Sequence, residues 1–192
     1  MNARTACAVL AAGASRRLGR PKQLTLHLGR PLVRLAADCI CQSRATAAAV
    51  IVGAHAGSVC AALGTSPIEV VPNPDWQQGM AASIRVAVAW AERQGSDALL
   101  LTLCDQPRLS AAHLDRLIAE FERTKLPVAS YYAQKSAVPA LFPRSLFGAL
   151  AMLSGDSGAS RLLNDGRPLS RLPWAEGEFD VDTVEAEAEL AP

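Results

Sequence analysis

Residues 98–104, Ala-Leu-Leu-Leu-Thr-Leu-Cys, constrain the fold more than any other stretch of this chain. The run is too short for a typical helix, and it is continuously apolar rather than alternating. A strand with that pattern is covered on both faces, as a central strand of a parallel sheet is. Cys7 to Ala11 and Ala47 to Val52 read the same way. Residues 68–71, Val128 to Tyr132, Val138 to Phe142 and Leu169 to Leu172 are further strand candidates.

The stretches between these runs have helical spacing. In residues 31–44, Leu32, Leu35, Ala36, Cys39 and Ile40 fall on one face. Residues 58–63 read as a short helix closed by Gly64, and 79–93 place Ile84, Val88 and Ala91 together. Ser110 suits the N-cap of a helix running to Thr124. Residues 144–165 read as helix in two pieces around Ser154 to Gly158, and 23–28 as a strand pair or an irregular loop. Phe179 to Thr183 reads as an extended segment leading into a final helix rich in Glu and Ala. Strands that alternate with helices make a three-layer α/β sandwich with a mainly parallel mixed sheet. There is no linker, repeat or low-complexity segment, so residues 1–192 read as a single domain.

Charge narrows the partners. The formal net charge is +1, which gives no global attraction to nucleic acid or to an anionic membrane surface. No window approaches the roughly 18 continuous apolar residues of a membrane span, and the basic loop follows the first apolar run too soon for a secretory signal. The five cysteines contain no Cys-x-x-Cys pair, and three of them sit in apolar runs as small hydrophobes. A cytoplasmic location is expected.

Handling of anions must then come from a local cluster. The first strand breaks at Gly13 into small residues and delivers Arg16, Arg17, Arg20 and Lys22 within seven positions. Small residues allow backbone N–H groups to turn toward a ligand, and the cations that follow suit a phosphate. The same stretch also reads as a solvated basic turn. Asp105 ends the most apolar strand, where open α/β sheets place ligands and where a carboxylate can hold Mg²⁺. It also reads as the opening of a turn before Pro107. Asp180 and Asp182, two apart on an extended segment, point the same way and could address one cation, while Thr183 could equally cap the last helix. Asn73, Trp76, Gly79, Met80 and Ser83 stand at a strand-to-helix junction that suits a base or a phosphate. Gly-x-x-x-x-Gly-Lys-Ser/Thr, Gly-x-Gly-x-x-Gly and Gly-x-Ser-x-Gly are all missing, which disfavours a Walker-type loop, a dinucleotide-binding dehydrogenase and a serine hydrolase.

These segments together resemble a known family. Leu10-Ala-Ala-Gly-Ala-Ser-Arg-Arg-Leu-Gly-Arg-Pro-Lys22 is similar to the opening motif of the molybdenum cofactor cytidylyltransferase branch of the MobA-like nucleotidyltransferases, with Leu18 in place of Met. Asn73 to Ser83 resembles its Asn-Pro-x-Trp-x-x-Gly-Met-x-x-Ser segment, and Cys104 to Pro107 its Asp-Gln-Pro. Leu153 to Gly158 resembles its Gly-Asp-x-Gly loop, and Asp180 to Thr183 its Asp-Ile-Asp-Thr. Two departures are Ala137 where Gly-His is frequent before Pro139, and Val184-Glu185-Ala186 in place of Pro-Glu-Asp.

The resemblance implies a nucleotide-diphospho-sugar transferase-like fold and transfer of CMP from CTP to the phosphate of molybdopterin, with pyrophosphate released. It implies that Leu10, Ala11, Ala12, Gly13, Ala14 and Ser15 meet the nucleotide, with Arg17 and Lys22 as catalytic cations. Asn73, Gly79 and Ser83 would line the base and ribose, and Asp105 would act catalytically and hold Mg²⁺ with Asp182 and Asp180. Gly155, Asp156, Gly158 and Arg161 would face the acceptor, a phosphorylated pterin whose product passes to a molybdoenzyme or its chaperone. Guanylyl transfer, another phosphorylated acceptor such as a sugar 1-phosphate or phospholactate, and a non-catalytic nucleotide-binding relative remain alternatives.

Overall fold

The structure is a computed structural model and describes residues 3–15 and 18–181. In chain order β1 (Thr5–Ala11) is followed by a two-residue hairpin, β2 (Leu26–His27) and β3 (Arg30–Pro31), and then by α1 (Leu32–Gln42). Next come β4 (Ala47–Val52), α2 (Ala56–Leu63), β5 (Glu69–Pro72), α3 (Met80–Arg93) and β6 (Ala98–Leu103). The second half holds α4 (Ala111–Thr124), β7 (Val128–Tyr132), β8 (Lys135–Pro143), α5 (Phe147–Ala151), α6 (Ser160–Leu163) and β9 (Ser170–Pro173).

Among the described residues, seven strands form one sheet in the order β5-β4-β1-β6-β8-β7-β9. The first four are mutually parallel. β8 runs antiparallel to both β6 and β7, and β9 is parallel to β7. The sheet is therefore mixed and mostly parallel, as the apolar runs imply. β1 is a central strand, and its side chains show why: Ala6 and Ala8 face a layer built from α3, α5 and α6. Cys7, Val9 and Ala11 face α1, α2 and α4 on the other side. Small side chains on β1 let both helix layers approach closely.

Local chemistry sets the element ends. Ser110 caps α4 by accepting from the His113 N–H at 3.3 Å, as its residue type and position imply. Residues 22–24 form a single 3-10 turn before the hairpin, so the alternation in 23–28 produces no full strand pair. As the spacing implies, residues 144–165 are helical in two pieces, α5 and α6, preceded by a 3-10 turn and separated around Ser154 to Gly158. Gly155 with φ +58° turns the chain between the two helices. Phe179 to Val181 is irregular rather than a strand, while Asp182, Thr183 and the expected final helix lie outside the described residues. No helix among the described residues is long and apolar enough to cross a membrane.

Because β1, β4, β5 and β6 are parallel, the segments that follow them emerge at one edge of the sheet. Residues 12–15, Gly53, 73–79 and 104–105 meet there.

Candidate active site

A cavity of about 350 Å³ opens at that edge. Its walls are the backbone after β1, Lys22 and Gln23 from the 3-10 turn, the 76–83 segment, and Leu103 to Asp105.

The loop after β1 is held from behind by one side chain. Gln23 is buried, and its Nε2 donates to the carbonyls of Ala11 at 3.0 Å and Gly13 at 2.7 Å. The Ala12 carbonyl is taken by the Ala54 N–H at 3.0 Å. Ser15, at φ +52°, accepts at Oγ from the Lys22 N–H at 3.1 Å and donates to the side-chain Oε1 of Gln23 at 3.4 Å. Carbonyls engaged within the protein leave N–H groups as what such a loop can offer an anion. Leu10, Ala11, Ala12, Gly13 and Ala14 line the cavity, whereas Ser15 supports the loop.

Lys22 crosses the cavity floor to Asp105, with its Nζ against Oδ2. Asp105 is 4% exposed, and its Oδ1 is buried without a hydrogen-bond partner. A buried carboxylate oxygen in that condition carries an unrecovered desolvation cost, which a cation or a donor would relieve. Val181 donates its N–H to the Asp105 carbonyl at 3.0 Å, and this ties the 179–181 segment to the end of β6. Asp180, the residue before it, is exposed. Among the described residues no cluster of three metal-ligating side chains exists. The unmet oxygen of Asp105 is a carboxylate ligand that could hold a divalent cation, and Mg²⁺ takes one or two carboxylates and completes its shell from substrate phosphates and water. Arg17 and Asp182, both expected here from the sequence, lie outside the described residues.

The opposite wall comes from the 73–83 segment. Asn73 is buried and donates to Ser83 Oγ at 3.0 Å, while its carbonyl oxygen accepts from the Asp75 N–H at 3.0 Å. Asn73 thus holds the turn and orients Ser83, and only Ser83 of the two lines the cavity. Trp76 packs onto Gly53, where a Cβ would stand 2.6 Å from the Trp76 Cβ and 2.8 Å from the Ala12 Cβ. Gly79 has φ +95°, and a Cβ there would meet the Gly155 carbonyl oxygen at 2.5 Å and Asp156 Oδ1 at 2.6 Å.

That contact places the 155–158 loop on the same wall. Asp156 lines the same cavity as Gly79, Met80 and Ser83, and Gly155 is bonded to α3 through the Ala81 N–H at 3.1 Å. Gly158 lies beside Met80, whose Sδ would be 3.1 Å from an added Cβ. Arg161 is exposed on α6 and does not line the cavity. The loop folds onto the start of α3 because Gly79 leaves room for it.

Sequence reasoning passed over two more groups. Gln23 follows Lys22 directly, and an amide beside a carbonyl-rich loop was the only signal for it. Gln106 Nε2 donates to the Tyr132 hydroxyl at 3.1 Å and to the Val138 carbonyl at 3.2 Å. Tyr132 in turn donates to that carbonyl at 2.8 Å. Burial pushes the Tyr132 hydroxyl above its usual pKa, the bond from Gln106 pulls it back, and the charges of Asp105 and Asp180 add to the rise.

A family model described as MobA-like NTP transferase domain matches residues 7–171. The nicotine blue oxidoreductase of Paenarthrobacter nicotinovorans is 34% identical over 195 residues, covering 92% of this chain and 91% of that protein. The crystal structure of Rv0371c from Mycobacterium tuberculosis H37Rv superposes with a TM-score of 0.85 at 33% identity, covering 97% of each chain. A crystal structure of Rv0371C in complex with manganese has a TM-score of 0.82 at 31% identity, again with 97% of each chain covered.

Proposed function

The chain belongs to the MobA-like NTP transferase family, and we propose that it moves CMP from CTP onto the phosphate of molybdopterin, releasing pyrophosphate. The observation that carries this reading is the Lys22–Asp105 pair on the cavity floor, with Asp105 Oδ1 left without a partner.

In this reading the triphosphate lies against the backbone of Leu10 to Ala14, with Lys22 and Arg17 neutralising its charge. Mg²⁺ would be held by Asp105 with Asp180 and Asp182, and would supply charge neutralisation at the phosphates when bound. The manganese complex of Rv0371C supports a divalent ion in a related protein. A phosphate oxygen of the pterin attacks the α-phosphorus in line, and the bond to the leaving pyrophosphate breaks. The attacking oxygen is already ionised at neutral pH, so the protein contributes alignment and electrostatics rather than a general base. The choice of CTP rests on the resemblance of Ala12 and of the Asn73 to Trp76 segment to the cytidylyl branch. The product would pass to a molybdoenzyme or its chaperone.

The test is pyrophosphate release with each of the four nucleoside triphosphates, with and without molybdopterin and Mg²⁺. Release that requires CTP, molybdopterin and Mg²⁺ together is the expected result. The same protein is assayed for oxidation of NADH and NADPH, because of the name its Paenarthrobacter relative carries. Nicotinamide oxidation without any pyrophosphate release would overturn the transferase reading.

A further inference from the structure

Two ends of the cavity differ in chemistry. Lys22 and Asp105 stand at the β6 end, whereas Trp76, Gly79 and Asp156 belong to the segment that leaves β5 and to the loop packed on it. Helix α3, which begins after Gly79, packs over β1, β4 and β6, so Trp76, Gly79 and Asp156 form the wall across the cavity from Lys22 and Asp105. A nucleotide with its phosphates at Lys22 and Asp105 therefore extends its base toward Trp76, Gly79 and Asp156, and its ribose lies between.

At that far end Asp156 supplies the carboxylate of the cavity wall. It is exposed and set against Gly79 at the start of α3. An ionised carboxylate only accepts hydrogen bonds. Cytosine carries a donor amine at position 4, and uracil of the same size carries a carbonyl oxygen there. A carboxylate facing that position bonds the first and repels the second. We infer that Asp156 is the base-reading residue of this site, accepting a hydrogen bond from the exocyclic amine of cytosine. The inference rests on the nucleotidyl-transfer reading and deepens it.

Gly79 is what makes the placement work. Its positive φ and missing side chain let the 155–156 backbone approach until the Asp156 carboxylate stands beside the helix start. Ser83, one turn further along α3 and oriented by Asn73, supplies a neighbouring hydroxyl on the same wall.

The test is calorimetric binding of CTP, dCTP, UTP and GTP in the presence of Mg²⁺ to the full chain and to Asp156→Asn. An asparagine can turn either its oxygen or its amide N–H toward position 4, so it serves cytosine and uracil alike. The native protein is expected to bind CTP at least about tenfold more tightly than UTP. Asp156→Asn is expected to bring the two within about twofold by gaining UTP affinity, and to leave the CTP to dCTP ratio unchanged. Equal binding of CTP and UTP by the native protein, or a preference for GTP, overturns the assignment to cytosine. Retained discrimination in Asp156→Asn, or a shift in the dCTP ratio instead, overturns the role of Asp156. Failure to bind any of the four nucleotides overturns the nucleotidyl-transfer reading itself, so the two failures are told apart.

Discussion

Lys22 reaches Asp105 across 83 residues of sequence and engages one carboxylate oxygen while the other stays unmet. Opposite charges on one cavity floor hold each other in place until a ligand separates them. In the proposed reading the ammonium would turn to a phosphate oxygen and the carboxylate to a divalent cation, dividing the pair between the two halves of a metal-bound triphosphate.

Lys22→Met is the variant that reads the structural half of that pair. The Lys22 side chain is 22% exposed and that of Asp105 only 6%. Removing the cation leaves a buried carboxylate unpaired, which costs about 2 kcal/mol here. Asp105→Asn in the same chain removes the charge and is expected to recover most of that loss. Urea unfolding of the single and double variants measures the difference. Equal midpoints for native protein and Lys22→Met would show that the pair contributes no stability.

Asp105→Asn alone tests the chemical half. It keeps the shape of the side chain and removes the charge that a cation needs. Pyrophosphate release is expected to fall by at least about 10³-fold, with the circular dichroism spectrum unchanged. Chelation of divalent ions with EDTA is expected to abolish release by the native protein, and added Mg²⁺ to restore it. A variant with near-native turnover would remove Asp105 from the mechanism.

Gly79→Ala probes the close approach on the other wall. The added Cβ would stand 2.5 Å from the Gly155 carbonyl oxygen, and φ +95° is strained for any side chain. Both effects act together, so a loss of about 2 kcal/mol in unfolding free energy is expected. The 155–158 loop must also retreat, which weakens nucleotide binding beyond what the stability change explains. Calorimetry on the folded variant separates the two contributions.

The sheet was legible because its central strands are continuous apolar runs, and 98–104 in particular admits few other environments. The loop after β1 and Asp105 were legible for the same reason: each ends such a run at the sheet edge where ligands bind. Asp156 was legible as a residue and not as a location. What places it is a clash that would exist at Gly79, and no local spacing encodes a contact between residues so far apart in the chain. Gln23 was missed because its two bonds go to backbone carbonyls, which every residue carries. The break in the helix over 144–165 was legible in the Ser154 to Gly158 stretch itself, whereas the packing of that loop onto Gly79 was not.

His113 gives the last prediction, a dependence of stability on acid that is independent of the site. The side chain is 3% exposed and stacks on Trp174 with ring centroids 4.7 Å apart. Ser130 donates to the Pro139 carbonyl at 2.7 Å, so the 2.7 Å contact between Ser130 Oγ and His113 Nε2 must have its proton on the imidazole. Nδ1 is buried with no partner and offers a second proton no acceptor. Burial first, and the charge of Arg116 second, lower its pKa to about 4, against a smaller upward pull from Glu176. Above the ordinary value of about 6.5 both folded and unfolded chains hold the ring neutral, and His113 adds no slope. Between that value and about 4 only the unfolded chain takes the proton, so stability falls as pH drops, by about 2–3 kcal/mol in all. Below pH 4 the loss levels off. His113→Gln keeps a donor for Ser130 and has no such proton, so its unfolding free energy, followed by urea titration from pH 7.5 to pH 4, is expected to fall less steeply than that of the native protein. Parallel curves for the two would show that the ring is not held neutral by the fold.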